Sequence, residues 1–157
     1  VAEEKAVSSH EVINGSELNQ RLMQQAREVA GYSHDWWRQV GAVLVQDGEV
    51  LFSACNQHQP HPQSACAHGD PRSIFSRGVR LDLTTAEHAE AAVLGEASRQ
   101  GVKTEGASLY VSVFPCPTCA MLIARAGIKT CYFGGGYAVL DGQSVLQSAG
   151  VTLVLVK

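Results

Sequence analysis

No apolar run in the 157 residues approaches the roughly 20 that a membrane-spanning helix needs, so a membrane protein is not expected. Nor is there an excess of either charge: 12 Lys and Arg stand against 15 Asp and Glu, a formal net charge of -3. That balance gives no basic surface of the kind that holds nucleic acid by charge alone. A nucleic-acid substrate is therefore not favoured, although a structured one is compatible with the composition. Internal repeats and low-complexity tracts are absent, and with 45% hydrophobic and 17% charged residues the chain is neither disordered nor collagen-like. No secretory leader is recognisable, and the five cysteines are an odd number that cannot all pair. Reduced thiols, a metal and a cytoplasmic location are expected in place of a disulfide framework. The chain opens on Val1 and not on Met, which is compatible with an excised domain.

At this length one domain, residues 1–157, can bury a core without covalent staples. Residues 1–14 show no clear period and read as a loose arm. Leu18, Leu22, Met23, Ala26, Val29 and Ala30 recur at helical spacing, which predicts a first helix over 16–30 that Gly31 stops. The run from Val40 to Val45, the pair Asp47-Gly48 and the return over 50–54 predict a β-hairpin. Thr84, Thr85, Ala86 and Glu87 fit a capping box ahead of a helix that reaches about Arg99. A central strand over 107–114, a helix from Pro117 to Gly127, a strand over 128–133, a short helix over 141–149 and a strand over 151–156 complete the order. Strands joined through a helix should be parallel, so this order implies a three-layer α/β/α domain around a mixed sheet of five strands.

Two short segments carry the chemistry. Cys116 and Cys119, in Pro115-Cys116-Pro117-Thr118-Cys119, are three apart and can turn both sulfurs toward one point at a helix N-terminus. His88, at the start of the preceding helix, can add an imidazole nitrogen. Three N/S ligands leave open the fourth position that a catalytic zinc keeps for water. Glu90, two residues past His88, can move protons beside the metal without ligating it. A redox-active Cys-x-x-Cys, half of a zinc knuckle, or a structural zinc in a chain that no longer turns over are the alternatives. His-x-Glu followed by Pro-Cys-x-x-Cys is the signature of zinc deaminases.

With these segments the sequence resembles the cytidine deaminase-like superfamily, and within it the deoxycytidylate deaminase branch. The other markers are the Val40–Val45 run, Asn56, Ala91, Phe114, Ala120, Ala126-Gly127-Ile128-Lys129, Gly136-Tyr137 and Ala149-Gly150-Val151, so the match covers about three-quarters of the chain. The resemblance implies the three-layer fold with its last two strands parallel. It implies Zn2+ on His88, Cys116 and Cys119, with Glu90 as the proton shuttle. It further implies Asn56 as a sugar contact, the backbone at Ala89 against the pyrimidine edge, and Tyr137 as a pocket wall or phosphate contact. For Asn56 an ordinary turn residue is the alternative, and for Tyr137 a core or surface position. The implied reaction is hydrolytic: water activated by zinc adds to C4 of cytosine, Glu90 relays protons, and ammonia leaves a uracil product. A small-molecule nucleotide substrate such as dCMP and a homo-oligomer go with the resemblance. Deamination of tRNA adenosine, guanine, cytidine or dCTP is the alternative within the superfamily.

The stretch from Asn56 to Leu83 holds three prolines and three histidines with little apolar periodicity, and a loop that long is more often functional than idle. Its Arg72 and Arg77 are candidate partners for a 5′-phosphate, with ion pairs to Asp70 and Asp82 as the alternative. Cys55, His58, His61, Cys66 and His68 are candidate ligands of a second, structural metal; a solvated polar loop is the other reading. Cys131, within a predicted strand, is expected to be a small buried apolar residue.

Overall fold

The computed structural model describes residues 11–12, 17–61, 63–64, 68–76, 79, 83–136 and 140–157. Helix α1 (Glu17–Ala30) turns Leu22, Met23, Ala26 and Ala30 to the interior, with Glu17 in its first turn and Arg27 in its last, each suited to the helix dipole. Strands β2 (Gly41–Gln46) and β3 (Glu49–Cys55) form the expected hairpin. Asp47 and Gly48 both take positive φ, 52° and 81°, as a two-residue turn that follows the right-handed strand twist requires. β6 (Ser108–Val111), β7 (Thr130–Phe133) and β8 (Thr152–Leu155) alternate with helices α3 (Pro117–Arg125) and α4 (Leu140–Ser148).

The five long strands make the mixed sheet read from the sequence. β6, β7 and β8 run parallel, and β2 enters antiparallel between β6 and β3. A correction concerns the N-terminal arm: its residues Glu11–Val12 (β1) pair parallel with Val154 and Leu155 and lengthen the sheet by a sixth strand at the β8 edge. The rest of the arm lies outside the described residues.

Alternation along the strands divides the core into two layers. Val43, Val45, Tyr110, Val154 and Val156 pack under α1, with Tyr110 stacked on Tyr132 at 4.2 Å. Ala42, Leu44, Leu109, Val111, Cys131, Phe133 and Leu153 face the other three helices, so Cys131 is the buried apolar residue expected. Helix α1 lies so close to β2 that a Cβ on Gly41 would stand 2.0 Å from the Ala26 carbonyl oxygen. Among the described residues no helix is long and apolar enough to cross a membrane.

The remaining helix, α2 (Ala89–Arg99), starts four residues later than its sequence suggested. The capping box is not used. Thr84 Oγ1 accepts the N–H of Ala86, and Ala86–Glu87 becomes a short strand, β5, paired antiparallel with β4 (Gln57–His58). This small ladder takes the backbone that a capping box would have left free, and His88 becomes the N-cap, with φ -75° and ψ 149°. β6 is likewise shorter than expected: beyond Val111 the chain leaves the sheet toward Cys116.

Candidate active site

The chemistry lies beyond the carboxyl end of β6, where its neighbours are antiparallel β2 on one side and parallel β7 on the other, the kind of crevice open α/β sheets use for ligands. Ser112 ties the two strands there: its N–H donates to the Gly41 carbonyl and its Oγ accepts the Gly41 N–H, each at 3.0 Å. The next segment is held by the Phe114 N–H on the Gly135 carbonyl at 2.8 Å. It delivers Cys116 as the N-cap of α3, with Pro117 in the first turn, where a missing N–H costs nothing. The Cys116 sulfur accepts the Cys119 N–H at 3.5 Å.

Two helix starts therefore converge. His88 Nδ1 stands 3.4 Å from Cys116 Sγ and 3.3 Å from Cys119 Sγ, and among the described residues these three are the one group gathered closely enough to share a metal. Zinc bonds of about 2.0–2.1 Å to nitrogen and 2.3 Å to sulfur put tetrahedral N···S edges near 3.6 Å, so the donor set fits zinc in kind and in spacing. The positive ends of α2 and α3 both favour thiolate here. The Cys119 thiol and then His88 stabilise the Cys116 thiolate, pulling its pKa down to about 4. Cys119, sharing that site, is pushed up by Cys116 and by burial. His88 is raised chiefly by its contact with Cys116.

Glu90 follows on the first turn of α2 and is only 4% exposed. Burial raises its pKa, and His88 offsets part of the rise. The Ala89 side chain is fully buried beside Glu90.

The other candidates separate. Asn56 is buried with its amide committed to backbone: Oδ1 accepts the Val40 N–H and Nδ2 donates to the Arg38 carbonyl, each at 2.8 Å. It clamps the segment that leads into β2. Arg72 lies 4% exposed and makes the ion pair with Asp70 that was the alternative reading, together with a second one to Asp35. Among the described residues, Cys55, His58, His61 and His68 form no group gathered closely enough to share a second metal. Cys55 is buried beside Gln57, His61 and His68 are exposed, and His58 faces Asp35 and Asp70, where Arg72 already supplies the cation. Arg77, Tyr137 and Cys66 lie outside the described residues. Asp35 went unnoticed in the sequence, because a lone polar residue in a loop carries no periodic or motif signal and its partner Arg72 is remote in the chain; Thr85 and Ser112 were read only as parts of a capping box and a strand.

Residues 16–135 match the model of the cytidine and deoxycytidylate deaminase zinc-binding region, and the chain belongs to that family. It is 32% identical over 134 residues to a deoxycytidylate deaminase of Saccharomyces cerevisiae, covering 84% of this chain and 42% of the relative. To ComE operon protein 2 of Bacillus subtilis it is 39% identical over 138 residues, 86% of this chain and 69% of the relative. The chain thus spans under half the length of the yeast relative and about two-thirds of the bacterial one. Among solved structures it resembles a dCMP deaminase from the cyanophage S-TIM5 in complex with dCMP and dUMP. That likeness has a TM-score of 0.68 and 26% identity, over 90% of this chain and 98% of the other.

Proposed function

We propose that the chain is a zinc-dependent hydrolytic deaminase that converts a cytosine nucleotide, with dCMP as the reference substrate, to the uracil nucleotide and ammonia. The observation that carries this reading is the convergence of His88, Cys116 and Cys119 at two helix N-termini with the enclosed carboxyl of Glu90 beside them. Zinc held by those three residues would supply Lewis-acid activation of a water molecule near neutral pH. Glu90 would take one proton from the attacking water and give it to N3 of the pyrimidine, then take the proton left on the attacking oxygen and give it to the departing amine, so both water protons end in the uracil product and ammonia. Its enclosure keeps the proton in the site between these transfers. The Ser112–Gly41 and Phe114–Gly135 bonds keep both cysteine sulfurs on the side that His88 faces, so the ligands are oriented before metal arrives.

The nucleotide preference is supported by the relatives, two of which bear the name deoxycytidylate deaminase or dCMP deaminase. The test is ammonia release from dCMP, deoxycytidine, CMP, dCTP, guanine and an anticodon stem-loop. A charge-assisted phosphate contact contributes roughly 1.5–3 kcal/mol, so dCMP should exceed deoxycytidine in kcat/KM by about ten- to a hundredfold. Equal turnover of the two would overturn the nucleotide reading while leaving a cytosine deaminase. Turnover of the stem-loop alone would move the chain to the tRNA-adenosine branch, and no turnover of any substrate would overturn the enzyme reading.

A further inference from the structure

Outside the metal site, four ionisable side chains meet in one buried cluster. Arg72 donates from Nε and Nη2 to the Asp70 carboxylate at 2.6–3.2 Å, and from Nη2 to Asp35 Oδ2 at 3.0 Å. Its guanidinium lies 4.5 Å from the centre of the Trp37 ring. His58 has no exposed surface. Its Nε2 points toward the same carboxylates, 3.6 Å from Asp35 and 4.0 Å from Asp70, without a hydrogen bond among the described residues. Its Nδ1 lies 3.0 Å from Thr85 Oγ1.

The cluster joins segments that the sheet itself does not hold together. On one side Asp35 Oδ1 accepts the N–H groups of Trp37 and Arg38 at 2.7 and 3.0 Å, which shapes the loop over 33–40. Ser33 and Asn56 pin the same loop to the end of the hairpin. On the other side His58 sits in β4, whose partner β5 ends one residue before His88, and the Gln59 N–H donates to the Thr85 carbonyl at 2.8 Å. Two carboxylates withdrawn from water tolerate each other only beside a cation, so Arg72 fixes how far apart Asp35 and Asp70 stand. A guanidinium presents its donors in a rigid plane and therefore fixes direction as well as charge.

The geometry points to Arg72 and Asp35 as positioning residues of the active site: through Asp35 and His58 they hold the 33–40 loop and the segment that delivers His88 and Glu90 at one fixed separation. This inference rests on the deaminase reading for its kinetic readout. A merely stabilising role makes a different forecast, because Arg72 is tied more tightly to Asp70 than to Asp35. Three side-chain contacts and the Arg72 N–H at 2.8 Å go to Asp70, against one contact to Asp35. Asp70→Asn should then be the more damaging change in every measurement. Asp35, in contrast, is the group that connects Arg72 to the loop. Asp35→Asn cannot accept from both Arg72 and the two loop N–H groups as a carboxylate does.

The experiment compares Asp35→Asn, Asp70→Asn, Arg72→Met and Arg72→Lys as zinc-loaded proteins. It measures zinc content, melting temperature, kcat and KM with dCMP, and amide hydrogen exchange over 36–40 and 85–90. With zinc stoichiometry retained, Asp35→Asn should lower kcat at least tenfold and speed exchange in both segments. Asp70→Asn should lower the melting temperature more and kcat less. Arg72→Lys should recover part of the kcat that Arg72→Met loses. Activity that simply follows melting temperature across the set would overturn the inference, as would faster exchange in Asp35→Asn confined to 36–40. If Arg72→Met fails to fold, the two near-isosteric Asn variants still decide the matter. If the wild type turns over none of the substrates, the deaminase reading fails by itself and the exchange data still test the coupling.

Discussion

The proposed chemistry rests most heavily on one side chain, Glu90. Glu90→Gln keeps the shape of the buried group and all three metal ligands but removes its capacity to carry a proton. The variant should bind one zinc per chain, melt close to the wild type and lose roughly 10²–10⁴-fold or more in deamination. Metal analysis and an ammonia assay of the same preparation check this, and wild-type turnover would remove Glu90 from the mechanism. His88, Glu90, Cys116 and Cys119 were legible in the sequence because each helix start carries its chemistry within four residues. Arg72 was legible only in part. Its pair with Asp70, two residues away, was one of two readings, but Asp35 is 37 positions away, so nothing local showed that the pair is buried between two acids. Asn56 was legible as a special position, yet its visible work is to hold the backbone at Arg38 and Val40.

At the scale of elements, the approach of α1 to β2 is the closest that any glycine makes possible among the described residues. A methyl group at residue 41 would stand 2.0 Å from the Ala26 carbonyl oxygen and 2.7 Å from the Ala30 nitrogen, both backbone atoms that cannot swing aside. Overpacking of this kind typically costs about 1–3 kcal/mol or more. Gly41→Ala should therefore lower the melting temperature by roughly 2–12 °C, since about 1 kcal/mol moves a domain of this size by 2–4 °C. Thermal melting followed by circular dichroism measures it, and an unchanged melt would mean that α1 can shift without loss. The Gly41–Ser112 hydrogen bonds tie this packing to the loop that carries Cys116, so the variant should also lose zinc to a chelator sooner. The helices and strands were legible from period and turn residues. The late start of α2 was not, because the capping-box residues satisfy a local rule while β4, nearly thirty residues earlier, competes for the same backbone.

For the molecule as a whole, the Asp35–Asp70 pair gives stability a pH dependence whose direction is fixed. Arg72 holds Asp70 below its ordinary value near 3.8. At Asp35, burial acts upward but is outweighed by the Arg38 N–H, the Arg72 guanidinium and the Trp37 N–H, so that carboxyl is lowered too. At these two carboxylates the unfolded chain thus binds protons more readily than the folded one, whereas Glu90, raised by burial, works the other way. The pair's contribution is fully present above the unfolded value and is lost as pH falls through the lowered folded-state values. Zinc leaves in acid as well, because its ligands take up protons. The measurement is therefore made on zinc-free protein with chelator present throughout. Wild-type melting temperature should drop steeply below about pH 4, and Asp70→Asn should drop less from a lower plateau; parallel curves would show that the pair does not govern acid unfolding. The three-layer architecture itself was legible from the order of elements. The arrangement of one helix on one face and three on the other became visible only when the strands' alternate residues were assigned to their layers.

Both tryptophans of the chain, Trp36 and Trp37, fall in the single loop that Asp35 and Asn56 pin down. Indole emission from this protein is consequently a private signal of that loop, free of any background from the core. Trp36 is 57% exposed, so its spectrum begins at the red, water-facing end and can only move blue when something covers it. Trp37, under the Arg72 guanidinium, answers instead to the integrity of the buried charges. A fluorimeter alone can therefore follow the loop in the unlabelled protein, with either residue replaced by phenylalanine to separate the two voices.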